Sequence, residues 1–221
     1  MPEAVDYSAL EHLRDGRPVK IRALRPDDRA DMLAAIGRTS MQSLQRRFFV
    51  PKKGFSEREL AFFLDIDFEA HVALVAQIDE DGQPIIAGGG RYIVVRPGHA
   101  EIAFVVVDDY QGQGIGTILM RHLAVLARDA GLKELIAEVL PENSAMLKLF
   151  KKFGFKTASK GSPQVIHLAS ALNRVLRFMV HSIGTRYRNP RSERRYPPAR
   201  ASSRHTKLPV KPWPYHRCRF E

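Results

Sequence analysis

From Pro18 to Leu24 apolar and basic side chains alternate (PVKIRAL), the period-two pattern of a half-buried strand. Asp27 and Asp28 follow as acidic helix-start residues, and the spacing predicts a helix over 28–37. Two more helical patches are expected near Thr39–Phe49 and Ser56–Asp65. The second opens with Ser56 and Glu59 at the spacing of a capping box. From Ala70 the texture changes. His71–Ala76 reads as a strand, Asp79-Glu80-Asp81-Gly82 as a turn, and Pro84–Val95 as a second strand interrupted by Gly88-Gly89-Gly90. Ala100–Val107 follows the Pro97-Gly98 turn. No crossover helix fits between these three, so antiparallel pairing is expected.

A helix is predicted over Gly114–Ala130, stopping at Gly131. A strand over Glu134–Leu140 comes next, then a helix over Asn143–Phe153 that ends at Gly154. Short strands near Phe155–Ala158 and Gln164–Leu168 complete the pattern. This order describes an α/β (α+β) layer fold with a mixed, mostly antiparallel sheet. Residues 1–17 read as an N-terminal extension, 18–170 as the folded domain and 171–221 as a tail.

Charge sharpens that division. Of 221 residues, 35 are Lys or Arg and 24 Asp or Glu, a formal net charge of +11. Residues 1–170 hold 22 of each sign, whereas residues 171–221 hold 13 basic and 2 acidic side chains. The body is neutral and the tail carries the excess. Leu172–Ile183 keeps an amphipathic pattern, but 184–221 has six prolines and few large aliphatics, a composition that predicts disorder. Tyr187, Tyr196, Trp213 and Tyr215 lie among its arginines, so nucleic-acid contact is an expectation for the tail alone.

No apolar run is long enough to span a membrane, and the first residues lack a basic-then-apolar leader, which points to a cytoplasmic protein. Cys218 is the single cysteine, so no internal disulfide and no thiolate cluster is expected. His71, His99, His122 and His167 stand singly without metal-ligand spacing, and no metal is expected.

The richest segment runs from Phe104 through Val105, Val106, Val107, Asp108, Asp109 and Tyr110 to Gln111-Gly112-Gln113-Gly114-Ile115-Gly116-Thr117. A strand feeds a Gly-rich turn that opens a long helix. The glycines permit close backbone approach, and a helix start offers unpaired N–H groups suited to a pyrophosphate. A P-loop is excluded by the missing Gly-Lys-Ser/Thr ending. A dinucleotide fingerprint fails as well: its third glycine would fall on Thr117 or Leu119, and the preceding strands read as antiparallel. A plain strand-to-helix turn stays open.

Gln111, Gly114 and Gly116 meet the pattern Q/R-x-x-G-x-G/A, which resembles the acetyl-CoA loop of the GNAT superfamily. Downstream, Glu138–Met146 and Phe153-Gly154-Phe155 are similar to that family's strand, Asn-containing helix start and closing "GF" signature. The resemblance implies acetyl-CoA as co-substrate. Phe104, Val105 and Val106 would meet the pantetheine through main-chain groups, Gly112–Thr117 would hold the pyrophosphate, and Asn143 would contact the pantetheine or simply cap its helix. It also implies two splayed strands at the cofactor site.

Acetyl transfer needs a base for the incoming ammonium and stabilisation of the oxyanion that forms. Strand alternation puts Glu101, Ala103, Val105 and Val107 on one face, with Glu101 among apolar neighbours. Burial disfavours the charged carboxylate and thereby suits it to accept a proton near neutrality. Ala100–Phe104 also resembles Pat-type protein lysine acetyltransferases, in which a glutamate at this place is the general base. Glu101 is therefore the expected base, against a reading as an ion-paired strand-end residue, with Glu138 in reserve. Leu44–Phe49 and Asp65-Ile66-Asp67 look like the segment ahead of the core in Pat-like domains, which favours a protein lysine as acceptor. Where many family members place a tyrosine seven residues after the Asn, this chain has Phe150; Tyr110 is a substitute acid or a packing residue. Lys148, Lys151 and Lys152 read as a solvated helix face, with contact to the coenzyme's 3′-phosphate as the alternative. Other readings are a coenzyme-binding regulatory module without catalysis and an acetyltransferase of small amines. A monomer or a homodimer is compatible with all of them.

Overall fold

The computed structural model describes residues 4–159 and 164–182. Its strands are β1 (Ser8–His12), β2 (Pro18–Ala23), β3 (His71–Glu80), β4 (Gln83–Arg96), β5 (His99–Val106), β6 (Glu134–Val139), β7 (Lys156–Ser159) and β8 (Ile166–Ala171). The helices are α1 (Arg29–Gly37), α2 (Met41–Phe48), α3 (Glu57–Leu64), α4 (Ile115–Asp129), α5 (Ser144–Lys152) and α6 (Leu172–Ser182). The eight strands form one sheet in the order β1-β2-β3-β4-β5-β6-β8-β7. All neighbours are antiparallel except β5 and β6, which pair in parallel over only three positions, from His99↔Glu134 to Glu101↔Ile136. Beyond Glu101 the two strands part.

Each sheet face is covered for a reason visible in the alternation. Val72, Leu74, Ile102 and Phe104 share the main core with the apolar side of α4, where Leu119, Met120, Leu123 and Ala124 are fully buried. On the opposite face Ile93 packs with Leu44, Phe48 and Phe63 of α2 and α3, and Ala73 and Val75 pack with Leu24 and Ile86. The capping box at α3 forms as expected: Glu59 N–H donates to Ser56 Oγ and Ser56 N–H to Glu59 Oε2.

Three expectations need correction. Gly88-Gly89-Gly90 does not interrupt its strand, because β4 runs through all three with both neighbouring strands hydrogen-bonded to it. The extension over 1–17 contains β1, which extends the sheet beside β2. The 171–221 tail begins inside α6, whose Leu172 and Val175 are 2% and 0% exposed in the main core. The ordered unit thus reaches past 18–170 on both sides. The disorder and nucleic-acid contact expected of 184–221 lie outside the described residues.

Candidate active site

Where β5 and β6 diverge, a cavity of about 540 Å³ opens, lined by both strands, by the loop after β5, and by the first turns of α4 and α5. That volume is typical of a small-molecule site. Phe104, Val105 and Val106 form its β5 wall, and Glu138 and Val139 face them from β6.

The loop is shaped by glycine. Gly112 and Gly114 have φ of 76° and 105°, left-handed values that disfavour a side chain. Gly114 caps α4, so the N–H groups of Ile115, Gly116 and Thr117 begin the helix without intrahelical partners. Gly112, Gly114, Ile115, Gly116 and Thr117 all line the cavity. Gln111 lines it too, but its amide is used within the protein, donating to Val106 O (3.1 Å), Asp108 Oδ1 (3.0 Å) and Ser43 Oγ (3.1 Å). Gln113 is turned away from the cavity: its Nε2 donates to Asp109 O and its Oε1 accepts from Arg17.

Glu101 sits at the last position of β5 that pairs with β6, is 8% exposed, and lines the same cavity. Glu138 lines it as well and lies 3.3 Å from His167 Nδ1. Asn143 caps α5 by accepting from Met146 N–H at 3.2 Å and also lines the cavity. Phe150 is buried, stacked obliquely on Phe155 and near Phe104. Tyr110 also reaches the cavity wall, yet its hydroxyl donates to Glu80 at 2.5 Å and Arg38 bridges Glu80 and Asp109. Burial, and then Glu80, pushes the Tyr110 phenol up, and the Arg38 and Tyr110 hydrogen bonds hold Glu80 at about 2. Tyr110 is a tie for the loop.

Cations complete the wall, and of these Arg14 was not singled out from the sequence. Arg14, from the β1–β2 loop, donates to Gly112 O at 3.1 Å; Arg46 and Arg47 arrive on α2, and Lys148 on α5. Arg46 Nε is buried without a hydrogen-bond partner among the described residues. No local pattern marks Arg14, because it reaches the loop only through sheet pairing. A backbone anion cradle, an orphaned guanidinium N–H and a cationic rim fit a diphosphate-bearing coenzyme.

Residues 38–155 match the model of the acetyltransferase (GNAT) family. The chain belongs to the GNAT family. Across 161 residues it is 37% identical to acetyltransferase PA5475 of Pseudomonas aeruginosa, covering 72% of this chain and 87% of that protein. It is 36% identical over 146 residues to acetyltransferase Pat of Mycolicibacterium smegmatis, spanning 64% of this chain but 42% of Pat. The crystal structure of the GNAT domain of S. lividans PAT superposes with a TM-score of 0.69 at 30% identity, covering 74% of this chain and 96% of that one. This GNAT protein is accordingly an acyl-CoA-dependent N-acyltransferase that uses acetyl-CoA. Among the described residues no helix is long and apolar enough to cross a membrane.

Proposed function

We propose that this GNAT enzyme acetylates a primary amine, a protein lysine, by direct attack on acetyl-CoA with Glu101 as general base. Acetyl-CoA supplies the activated thioester carbonyl; the chain binds it, orients it and removes a proton. The observation carrying the reading is the position of Glu101, at the point where β5 and β6 separate and on the wall of the coenzyme cavity. A base there stands on the wall of the coenzyme cavity, where it can take the proton of an amine presented to the thioester. Over Phe104–Val106 the edge of β5 has no strand partner on the β6 side; Val106 O is taken by Gln111 and Val105 O faces β4, and the main-chain groups left can bind the pantetheine as an added strand would. Gly112–Thr117 receive the pyrophosphate. Asn143 lines the channel. The buried Phe150 has no proton to give, so coenzyme A leaves as its thiolate, protonated by water.

The similarity to Pat and to the PAT domain supports a protein lysine over a small amine. Mass spectrometry of candidate proteins incubated with enzyme and acetyl-CoA identifies the acceptor. Replacement of Glu101 by Gln is expected to slow transfer by about 10²–10⁴-fold near neutral pH, the usual worth of a positioned base, with coenzyme affinity nearly intact. An unchanged rate removes Glu101 from the mechanism, and tight coenzyme binding without turnover on any amine favours the regulatory-module reading that Phe150 invites.

A further inference from the structure

A second cavity, of about 90 Å³, lies on the other side of β5, between the sheet and α1–α3. Several water-sized groups fit such a space. It shares Arg47, Ala103 and Val105 with the coenzyme cavity, so the two meet at β5, beside Glu101. Its floor is made of small residues, Ala73, Gly89 and Ala103, and its upper wall of Phe48, Phe55 and Phe63.

One polar residue breaks this apolar lining from within the sheet. Arg91 pairs across the strands with Ala103, placing it beside the stretch of β5 that walls both cavities. Its Nη1 donates to Phe63 O at 3.3 Å and to His71 Nε2 at 3.0 Å, and its guanidinium lies 4.7 Å from the Phe63 ring centre. Among the described residues no carboxylate comes within ion-pair distance of it. Burial, and then the like charge of Arg47, pushes the Arg91 guanidinium down to about 9. Arg91 is half-buried, and holding a partly desolvated cation beside a second cation is costly unless an anion joins them. Structural arginines in protein interiors are normally matched to Asp or Glu, as Arg22 is to Asp28 here at 2.7 Å.

We propose that this pocket receives the end of an acyl group longer than acetyl that terminates in a carboxylate, with Arg91 as its anchor, so that a dicarboxylic acyl-CoA of the succinyl type is a preferred donor. The inference deepens the acyltransferase reading and rests on its placement of the thioester along β5. In the reaction the amine nitrogen bonds to the acyl carbon as the carbon–sulfur bond breaks. Glu101 takes the amine proton, coenzyme A leaves as the thiolate, and the distal carboxylate stays ionised throughout against Arg91. A neutral chain of equal length fills the same apolar space but leaves the guanidinium unmatched, so the pocket discriminates by charge.

Calorimetry on the full chain with acetyl-CoA, butyryl-CoA and succinyl-CoA tests this, on wild type, Arg91→Met and Arg91→Lys. Succinyl-CoA is expected to bind at least tenfold more tightly than butyryl-CoA. Arg91→Met should erase that difference while leaving acetyl-CoA affinity unchanged, and Arg91→Lys should restore part of it. Thermal unfolding gives an independent readout: Arg91→Met should hold or raise the midpoint, because it removes a cation without an acid partner. Equal affinities for the succinyl and butyryl esters in wild type overturn the proposal. So does a fall in the midpoint of Arg91→Met together with loss of all three ligands, which makes Arg91 a strut for α3. If no ester binds wild type, the coenzyme-site reading itself fails. If acetyl transfer is selectively enhanced by a carboxylate on a small amine such as β-alanine, and Arg91→Met removes that preference, the carboxylate belongs to the acceptor and the proposal is wrong.

Discussion

The three consecutive glycines of β4 should respond to alanine in three different ways. All three are extended, so the substitution is judged by space alone. A Cβ at Gly88 would sit 2.9 Å from Val105 O, 3.2 Å from Ile115 Cγ2 and 3.3 Å from Val106 Cα. Ordinary carbon contacts need about 3.5–4.0 Å, and two of these neighbours are main-chain atoms that no rotamer change can move. The strain must pass into β5, the strand proposed to hold the pantetheine. At Gly90 the new methyl would lie 2.6 Å and 2.9 Å from Phe104 ring carbons and 2.9 Å from Leu123 Cδ1. Phe104 is 3% exposed and Leu123 fully buried, so the ring has nowhere to turn. At Gly89 the only neighbour is Leu74 O at 3.4 Å, an ordinary contact.

Overpacking a core typically costs about 1–3 kcal/mol, so Gly90→Ala belongs at the upper end and Gly88→Ala in the middle. Gly89→Ala should be neutral or gain about 0.4–1 kcal/mol by restricting the unfolded chain. At about 2–4 °C per kcal/mol for a domain of this size, Gly90→Ala should lower the unfolding midpoint by roughly 6–12 °C. Circular dichroism melts give the order of stability, and initial rates against acetyl-CoA give KM. Gly88→Ala should raise KM out of proportion to its stability loss, because it displaces the Val105–Val106 backbone. A melt in which Gly89→Ala is the most damaging, or a Gly88→Ala enzyme with unaltered KM, refutes the packing argument.

Asp28 forms a buried pair with Arg22, their side chains 9% and 8% exposed, and Asp28→Asn should cost about 3–5 kcal/mol by leaving the arginine unmatched; urea titration at pH 7 measures it. Burial pushes the Asp28 carboxyl up, but Arg22 and the Arg25 amide outweigh it and hold it below the ordinary range. Its stabilisation is therefore full above a pH of about 4 and disappears as pH falls through the depressed value, a dependence that Asp28→Asn should remove from the acid limb of the stability profile. Asn143→Ala should cost about 0.5–2 kcal/mol through loss of the α5 cap, with Asn143→Ser largely preserving stability; melts of the two variants compare them. Gly114→Ala forces a side chain to φ 105° at the helix cap and should weaken acetyl-CoA binding in calorimetry well beyond its effect on the melt.

What could be read from the sequence was local. The strand, Gly-rich turn and helix around 104–130 are contiguous, so periodicity and glycine spacing suffice to place them, and the loop's lining by Gly112, Gly114 and Gly116 follows. β1 was invisible because Ser8–His12 is a polar edge strand with no buried residue, formed by pairing with β2 rather than by its own pattern. Basic Arg174 and Arg177 on the exposed side of α6 made that helix look like the start of the tail, while Leu172 and Val175 on its inner side join the core. The glycine run looked like a break because sequence cannot show that Phe104 and Leu123 occupy the space a side chain at Gly90 would need.

The polar edge strand has a consequence at the coenzyme. Through β1 and its loop, Arg14 N–H donates to Gln113 O at 3.3 Å, Arg14 Nη1 to Gly112 O at 3.1 Å and Arg17 to Gln113 Oε1 at 2.6 Å, so the N-terminal hairpin grips the glycine-rich loop, the proposed pyrophosphate site, from outside. The hairpin is itself fastened to α4, with Tyr7 hydrogen-bonded to His122 and Glu11 paired with Arg121 at 2.9 Å and His122 at 3.1 Å. A loop whose glycines cost conformational entropy to order needs such external ties to present its N–H groups in one arrangement. Arg14→Ala removes one exposed, charge-assisted bond of about 1 kcal/mol, which should weaken coenzyme affinity roughly fivefold. Because the rest of the hairpin stays fastened, the melt should hardly move. Calorimetry with coenzyme A beside a thermal melt separates the cases: an unchanged Kd would mean that the loop holds its shape without the hairpin, and that β1 serves only to close the edge of the sheet.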